Sequence, residues 1–553
     1  MFPNPPAALP VSAAGGWARR ALALRGMRRW NGWGDAGVVA EVPAGALDFL
    51  RKQIGPGEAV ADARLEDVSA GVGPSRLPEH PMVDASAQTR VLHARGQSLP
   101  DWIALRSGRV GRVPDGVAFP ESGDDVRELL ALGRRWGAVV IPYGGGTSVV
   151  GHLAVPEGDE PVLVVSLERM RRMTALDEKS RLATFAAGVA GPDLEAQLRA
   201  HGYTLGHFPQ SFEYSTLGGW VVTRSSGQQS LRYGRIEQLF AGGRVETPRG
   251  ALDVPAFPAS GAGTDVRELV LGSEGRIGIL TEATVRVRPV AEHETFVGWV
   301  FPRWEQAETA VRDLVNAGLS LSMLRLANAA ETSTTMRLAG GGTAHALLER
   351  YLSLRGMGKD RCLLIAGITG SAAACRATLS AARALCKARG GAFFGTSIGE
   401  RWNKNRFRSV YLRNAMWDAG YAIDTLETAV LWPRVRATMT AVEAAIRGAQ
   451  FGDHVIAYSH LSHVYPQGSS VYTTLIFPRA ADAETNLRRA HAFKRAASEA
   501  IVANGGTISH QHGVGTDHRL YVGAEKGELG LDAIRAVFRS FDPDGMMNPG
   551  KLA

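Results

Sequence analysis

The chain has 553 residues, 45% hydrophobic and 21% charged, a composition that excludes a disordered or fibrous protein and is large enough for several folding units. A formal charge of +8 favours acidic partners, but the basic residues are spread along the chain without any nucleic-acid-binding motif, so no nucleic-acid partner is expected. Three cysteines, Cys362, Cys375 and Cys386, lack metal-site spacing and cannot build a disulfide scaffold, so a reducing, cytoplasmic setting is expected. No apolar run approaches the roughly 20 residues that span a bilayer.

In chain order, the Ala- and Arg-rich stretch before Arg28 is broken by prolines and reads as a tail. Residues 1–113 form a partly helical opening segment that includes AGALDFLRKQIG (44–55). Residues 114–290 begin with a strand at VAFPES, a helix at DDVRELLALGRRWG and an apolar strand running into a glycine turn at AVVIPYGGGTS, a compact βαβ-like start. The alternation in LVLGSEGRIGILTEATVRVRP predicts a half-buried strand. Residues 291–500 alternate strand and helix, as in ETFVGWVFP followed by EQAETAVRDLVNAG, and predict a second, α/β domain. Residues 501–553 follow a helix that stops at Gly505-Gly506 and form a C-terminal segment expected to return to the first domain.

The loop PYGGGTSVVGH (142–152) carries the clearest chemistry. Successive glycines let backbone N–H groups approach an anion, and Thr147 and Ser148 add hydroxyl donors. It has neither the Lys of a Walker loop nor the GxGxxG spacing of a Rossmann turn. Two blocks rich in Gly, Ser and Thr follow, Gln210–Leu239 and Leu271–Ala283.

In this order and spacing, these blocks resemble the flavin-binding domain of the vanillyl-alcohol oxidase superfamily. The resemblance implies an α+β fold: a PCMH-type FAD domain, a substrate or cap domain, and a C-terminal segment that completes the site. It places Pro142, Gly144, Gly145, Gly146, Thr147 and Ser148 around the FAD pyrophosphate. Ser215, Thr216, Gly218, Gly219, Ser225, Ser226, Gly227 and Tyr233 would lie on the flavin-ring side, with Glu274, Gly275 and Ile279 near the adenosine. No His or Cys occurs from 143 to 148, so non-covalent FAD is expected.

Within that superfamily, RRWNGWGD (28–35), SMLRLAN (322–328), YLRNAMWDAGYAIDTLETAVLW (411–432), SHVYPQGSSVYTTLIF (462–477) and ISHQHGVGTDH (508–518) resemble the alkylglycerone-phosphate synthases. That resemblance implies exchange of the acyl group of an acyl-dihydroxyacetone phosphate for a fatty alcohol, through a flavin adduct and without net redox. It implies that Tyr472 removes a proton, with a phenol pKa lowered by its surroundings, while His510 and His512 stabilise charge. Arg413 would grip the substrate phosphate with a bidentate fork and Arg325 would maintain the site. Gln511 and Thr516 depart from the family pattern, and no metal is expected. The alternatives are an FAD-linked dehydrogenase of a D-2-hydroxy acid and a flavin-binding protein without catalysis. Expected partners are a lipid-like or anionic small molecule, peripheral membrane contact, and a second copy in a homodimer.

Overall fold

The computed structural model describes residues 27–338 and 350–553; most of the Ala- and Arg-rich tail lies outside them. Helix Gly123–Arg135 starts where sequence chemistry says it should. Ser122 and Asp125 form a capping box that satisfies its first N–H groups, and Val126, Leu129 and Leu130 turn inward. The helix connects Gly116–Ala118 to Val139–Tyr143, and both strands pair in parallel with Val162–Ser166. A second, antiparallel sheet runs Met173–Asp177, Leu182–Ala186, Ile279–Arg286, Phe240–Thr247, Gly250–Val254. Val140, Val165, Phe185, Phe240 and Val285 belong to the core shared by these layers.

The second unit is a seven-stranded sheet in the order Ala392–Phe393, His293–Phe301, Cys362–Gly370, Leu321–Ala327, Ile456–Leu461, Gly468–Pro478, Tyr421–Leu431. Strand and helix do alternate in sequence, but every pairing in this sheet is antiparallel. Its two faces differ in chemistry. Val297, Trp299, Phe301, Leu324, Leu326, Leu364 and Ala366 pack with helices Trp304–Asn316, Ala372–Ala388 and Trp432–Gly448. The opposite face carries Met323, Arg325, His460 and Tyr472 and looks into the cavity between the units. All three cysteines lie in the helix-covered layer, where burial pushes the Cys362 and Cys386 thiols up to about 12.

The opening segment and the C-terminal segment tie the units together. Asn548 donates its backbone N–H to Val140 O and Val140 donates to Met546 O, so the chain end pairs in parallel with the edge strand Val139–Tyr143. At the other end of the chain, the Arg28–Asp35 signature clasps helix Leu412–Asp418: Trp33 N donates to Asn414 Oδ1 (3.1 Å) and Asn414 Nδ2 donates to Trp33 O (2.9 Å). Arg106 sits beneath this clasp, bonded to Asn31 O (2.9 Å), Asp62 (3.0 Å) and Asp418 (2.6 Å) and stacked over Trp102. Arg106 is buried but Asp62 and Asp418 reach solvent, so losing the guanidinium costs less than the ~3–5 kcal/mol of a fully buried pair. Arg106→Met should therefore lower the melting temperature by several degrees, measured by calorimetry; an unchanged transition would show that the clasp adds no stability.

Candidate functional site

A cavity of about 910 Å³ lies between the glycine loop and the exposed face of the seven-stranded sheet. The loop from Gly144 to Val149 forms one wall. Its backbone N–H groups find no acceptor among the described residues, which is the arrangement of an anion cradle. Gly145 allows it: a Cβ there would lie 1.8 Å from Tyr214 O, and Gly146 has φ +63°. Arg28 Nη2 donates to Gly145 O (2.8 Å), turning that carbonyl away from the cradle and bringing a positive charge beside it. The donor set and space fit the pyrophosphate of a dinucleotide.

Most of the residues expected at the cofactor lie on this cavity. Pro142, Gly144, Gly145, Gly146, Thr147, Ser148, Ser215, Thr216, Gly218, Gly219, Ser225, Ser226, Gly275 and Ile279 all line it. Two expectations need correction. Tyr233 is buried elsewhere, its ring packed over Gly206, where a Cβ would lie 2.2 Å away. Gly227 serves backbone packing, since a Cβ would come within 2.6 Å of Phe208 N. Glu274 lines the cavity as expected, and its carboxylate also latches the C-terminal turn, accepting from Val514 N (2.6 Å) and Gly515 N (2.9 Å) and lying 3.1 Å from His152 Nε2.

The facing wall follows from sheet register. Tyr472 sits in the middle strand of three, directly opposite Glu427 on one side and His460 on the other, so all three project on one face. Tyr472 stacks on His460 at 4.9 Å and meets His512 edge-on at 5.8 Å. Burial pushes its phenol up to about 12; the Thr425 hydrogen bond and Arg413 lower it, but Glu427 and Asp424 act with burial. The expected depression of the Tyr472 pKa is thus reversed: desolvation and two carboxylates outweigh one guanidinium.

Glu427 accepts from Gln511 N (2.6 Å) and His512 N (2.9 Å), which seats His512 on the cavity wall. Burial opposes its charge, yet the His512 and His510 imidazoles hold this carboxyl below its usual range. His510 does not reach the wall. It stacks behind His463 (4.9 Å), with Nε2 at 2.6 Å from both Tyr465 Oη and Arg235 Nη1, so its expected contact with substrate is replaced by a supporting position. Thr516 lies against Gly151, where a Cβ would be 2.1 Å from its hydroxyl, and Gln511 faces the cavity.

Both expected arginines line the cavity. Arg325 Nη2 donates to Glu331 (2.6 Å), consistent with a role in the site's integrity. Arg413 is more constrained than a phosphate fork would be. Its Nη1 donates to Gln97 O (2.7 Å), its Nε to Ile423 O (3.2 Å), and its guanidinium stacks over Trp102 at 4.1 Å. Two of its five N–H donors are thus taken, which fixes the guanidinium while Nη2 and the second hydrogen of Nη1 stay available to an anion. Burial lowers it to about 10, leaving it charged at neutral pH. Sequence reasoning missed Glu331, Glu427, His460, His463 and Arg406. Arg406 lines the same cavity with Nη1 buried and without a hydrogen bond among the described residues, over the rings of Phe407 (4.8 Å) and Phe208 (5.1 Å). His460 alone had a signal: the turn at Pro466–Gly468 folds its strand back so that it opposes Tyr472.

Together the glycine cradle, the two-unit fold and the polar wall define an FAD-binding enzyme. Residues 114–253 match the FAD binding domain family and residues 290–552 the C-terminal domain family of FAD-linked oxidases. An alkyldihydroxyacetonephosphate synthase of Trypanosoma brucei brucei is 30% identical over 95% of this chain and 92% of its own. A solved alkyldihydroxyacetonephosphate synthase superposes with a TM-score of 0.79 at 25% identity, covering 94% of this chain and 98% of that one. A mitochondrial D-lactate dehydrogenase of Arabidopsis thaliana is more distant, 24% identical over 80% of this chain and 73% of its own. The chain belongs to the alkyldihydroxyacetonephosphate synthase family, and its cofactor is FAD.

Gly145→Ala forces a methyl group into the Tyr214 carbonyl and should yield a folded protein that purifies with little FAD, read as the flavin-to-protein absorbance ratio. Full occupancy would mean that the loop moves freely and that its close packing is not needed to form the cradle.

Proposed function

We propose that the chain catalyses the family's acyl-for-alkyl exchange, replacing the acyl group of an acyl-dihydroxyacetone phosphate by a fatty alcohol. One observation carries this reading: the cavity runs from the polar wall of Arg325, Arg413, Tyr472 and His512 into an apolar wing of Val300, Met336, Leu352, Leu363 and Phe394. A long hydrocarbon chain needs such a wing. A two- or three-carbon hydroxy acid has nothing to place there, which disfavours the dehydrogenase.

FAD supplies a ring that can take up electron density from the dihydroxyacetone-phosphate fragment. The protein's own contribution is largely electrostatic. Arg413 and Arg406 bring positive charge to the cavity wall, where burial makes attraction for a phosphate stronger than in water. Tyr472 keeps its proton at neutral pH, so it donates a hydrogen bond to developing negative charge on a substrate oxygen. His512 is fixed beside it by Glu427. The basic surplus and the hydrocarbon substrate also support peripheral contact with anionic lipid in a cytoplasmic setting, to be released by a high-salt wash without detergent.

The test incubates holo-protein with palmitoyl-dihydroxyacetone phosphate and labelled hexadecanol. Label should enter an ether lipid, and D-lactate added without air should leave the flavin yellow. Bleaching by D-lactate with no labelled ether would replace this reading by the dehydrogenase. Tyr472→Phe should lower kcat on the order of 100-fold with unchanged FAD content and melting temperature. A turnover equal to wild type would remove the phenol from the chemistry. Arg413→Ala should raise KM and also lower the melting temperature, because two backbone carbonyls lose their donor; a rise in KM alone would show that those bonds contribute nothing.

A further inference from the structure

The exchange has a proton to dispose of. When the alcohol oxygen forms its new bond to carbon, the electron pair of its O–H bond stays on oxygen, its proton must go to a base, and the fatty acid leaves as carboxylate with the pair of the broken C–O bond. On the synthase reading, we propose that His460 Nε2 receives this proton and that Glu331 holds His460 in the tautomer able to do so.

The geometry is that of a carboxylate–imidazole dyad. His460 is buried, lines the cavity and stacks on Tyr472 at 4.9 Å. Its Nδ1 lies 2.9 Å from Glu331 Oε2 and 3.1 Å from Arg325 Nη2. Arg325 Nη2 makes its shorter bond to Glu331 Oε1 (2.6 Å), and an ionised carboxylate can only accept, so on its own shorter contact Nδ1 carries the hydrogen and the lone pair is on Nε2. Nε2 makes no hydrogen bond among the described residues, and it is not one of the solvent-sealed polar atoms without partners. It is therefore open to the cavity. Glu331 is itself fixed from two sides: Arg325 Nη2 donates to Oε1 (2.6 Å), and its backbone N–H donates to Asn328 Oδ1 (2.8 Å). Burial would raise the Glu331 carboxyl, but Arg325 and His460 bring it to about 2, so it is ionised at neutral pH.

Tyr472, His463 and His510 are less suited. The Tyr472 phenol is protonated at neutral pH. His463 Nδ1 lies within hydrogen-bond distance of Ser226 (3.1 Å) and Ser230 (3.2 Å), and His510 is behind the wall. The groups facing His460 are Arg325, Glu331, Glu427, Tyr472 and Tyr458 of its own strand. Burial and Arg325 lower the His460 pKa below 6.5, and Glu331 and Glu427 partly offset this. At neutral pH the imidazole is thus uncharged and free to accept, and it loses that ability as pH falls through its lowered pKa.

Two measurements on holo-protein decide the matter. The first records kcat and KM against pH for wild type, His460→Gln, His460→Asn and Glu331→Gln, with FAD content and melting temperature on each preparation. Wild type should show an acid limb in kcat below pH 6.5. Both His460 variants should lose on the order of 100-fold in kcat with that limb abolished and FAD retained. Glu331→Gln removes the charge that raises the imidazole pKa, so its limb should shift further to acid, with kcat about 10-fold down. The second treats wild type with diethyl pyrocarbonate and maps the modified histidines by mass spectrometry. His460 should be modified in the native protein and protected by hexadecanol. Ether formation by His460→Gln at the wild-type rate, or with the limb unmoved, would overturn the base assignment alone. Absence of hexadecanol protection would also overturn it. No ether from wild type would instead overturn the synthase reading and the alcohol step with it.

Discussion

The site depends on one turn held by two buried carboxylates. Glu427, from the seven-stranded sheet, accepts the N–H groups of Gln511 and His512; Glu274, from the flavin-binding unit, accepts those of Val514 and Gly515. Four consecutive donors, interrupted only at Gly513, are thus divided between two units. Hydrogen bonds to charged acceptors contribute about 1.5–3 kcal/mol each, which is what offsets taking two carboxylates out of water. Glu274 adopts φ +52° to do this, a conformation costing a non-glycine residue of order 1–3 kcal/mol. The same segment continues into Gly275, which packs on Pro142 at the base of the cradle. Position of the cofactor and position of His512 are therefore one mechanical problem.

The clamp also sets the dielectric character of the wall. Glu427, Glu331, His460, His463, Arg413 and Tyr472 crowd together on this wall; burial sets the pKa direction of the imidazoles, the guanidinium and the phenol, whereas at the two carboxyls the neighbouring cations override it. The outcome is a division of labour: carboxylates ionised, imidazoles neutral, phenol protonated, guanidinium charged. Such an arrangement stabilises charge that develops during reaction without requiring its own reorganisation.

How much of this could be read from the sequence depends on the range of the interaction. The glycine loop was legible because a run of glycines declares tight backbone packing, through a positive φ at Gly146 and a close approach to the distant Tyr214 carbonyl at Gly145. Strand alternation in Ile279–Arg286 was legible because each residue declares its face by its neighbours. Tyr472 and Arg325, singled out through family motifs, both line the cavity. Tyr233 and Gly227 do not, because a tract of small residues signals that backbone packs tightly without saying against what. His510 and His512 differ by two positions yet part company at Glu427, which no local pattern foretells. Glu331 meets His460 across 129 residues of chain, and only the finished sheet brings them together. The parallel-looking strand and helix rhythm of residues 291–500 likewise says nothing of strand direction, which is set by which edges remain available.

The pairing of Met546–Asn548 with Val140 has a consequence for biosynthesis. Strand Val139–Tyr143 is the outermost of its sheet until that pairing forms, and its partner lies far along the chain. At about 5–20 residues per second, the roughly 400 residues between them take on the order of 20–80 s to make. Throughout that interval the nascent flavin unit presents an apolar, uncovered strand edge, the kind of surface that recruits chaperones or other nascent chains. The glycine cradle is attached directly to this strand, so it gains the support of that pairing only after residues 546–548 have been made.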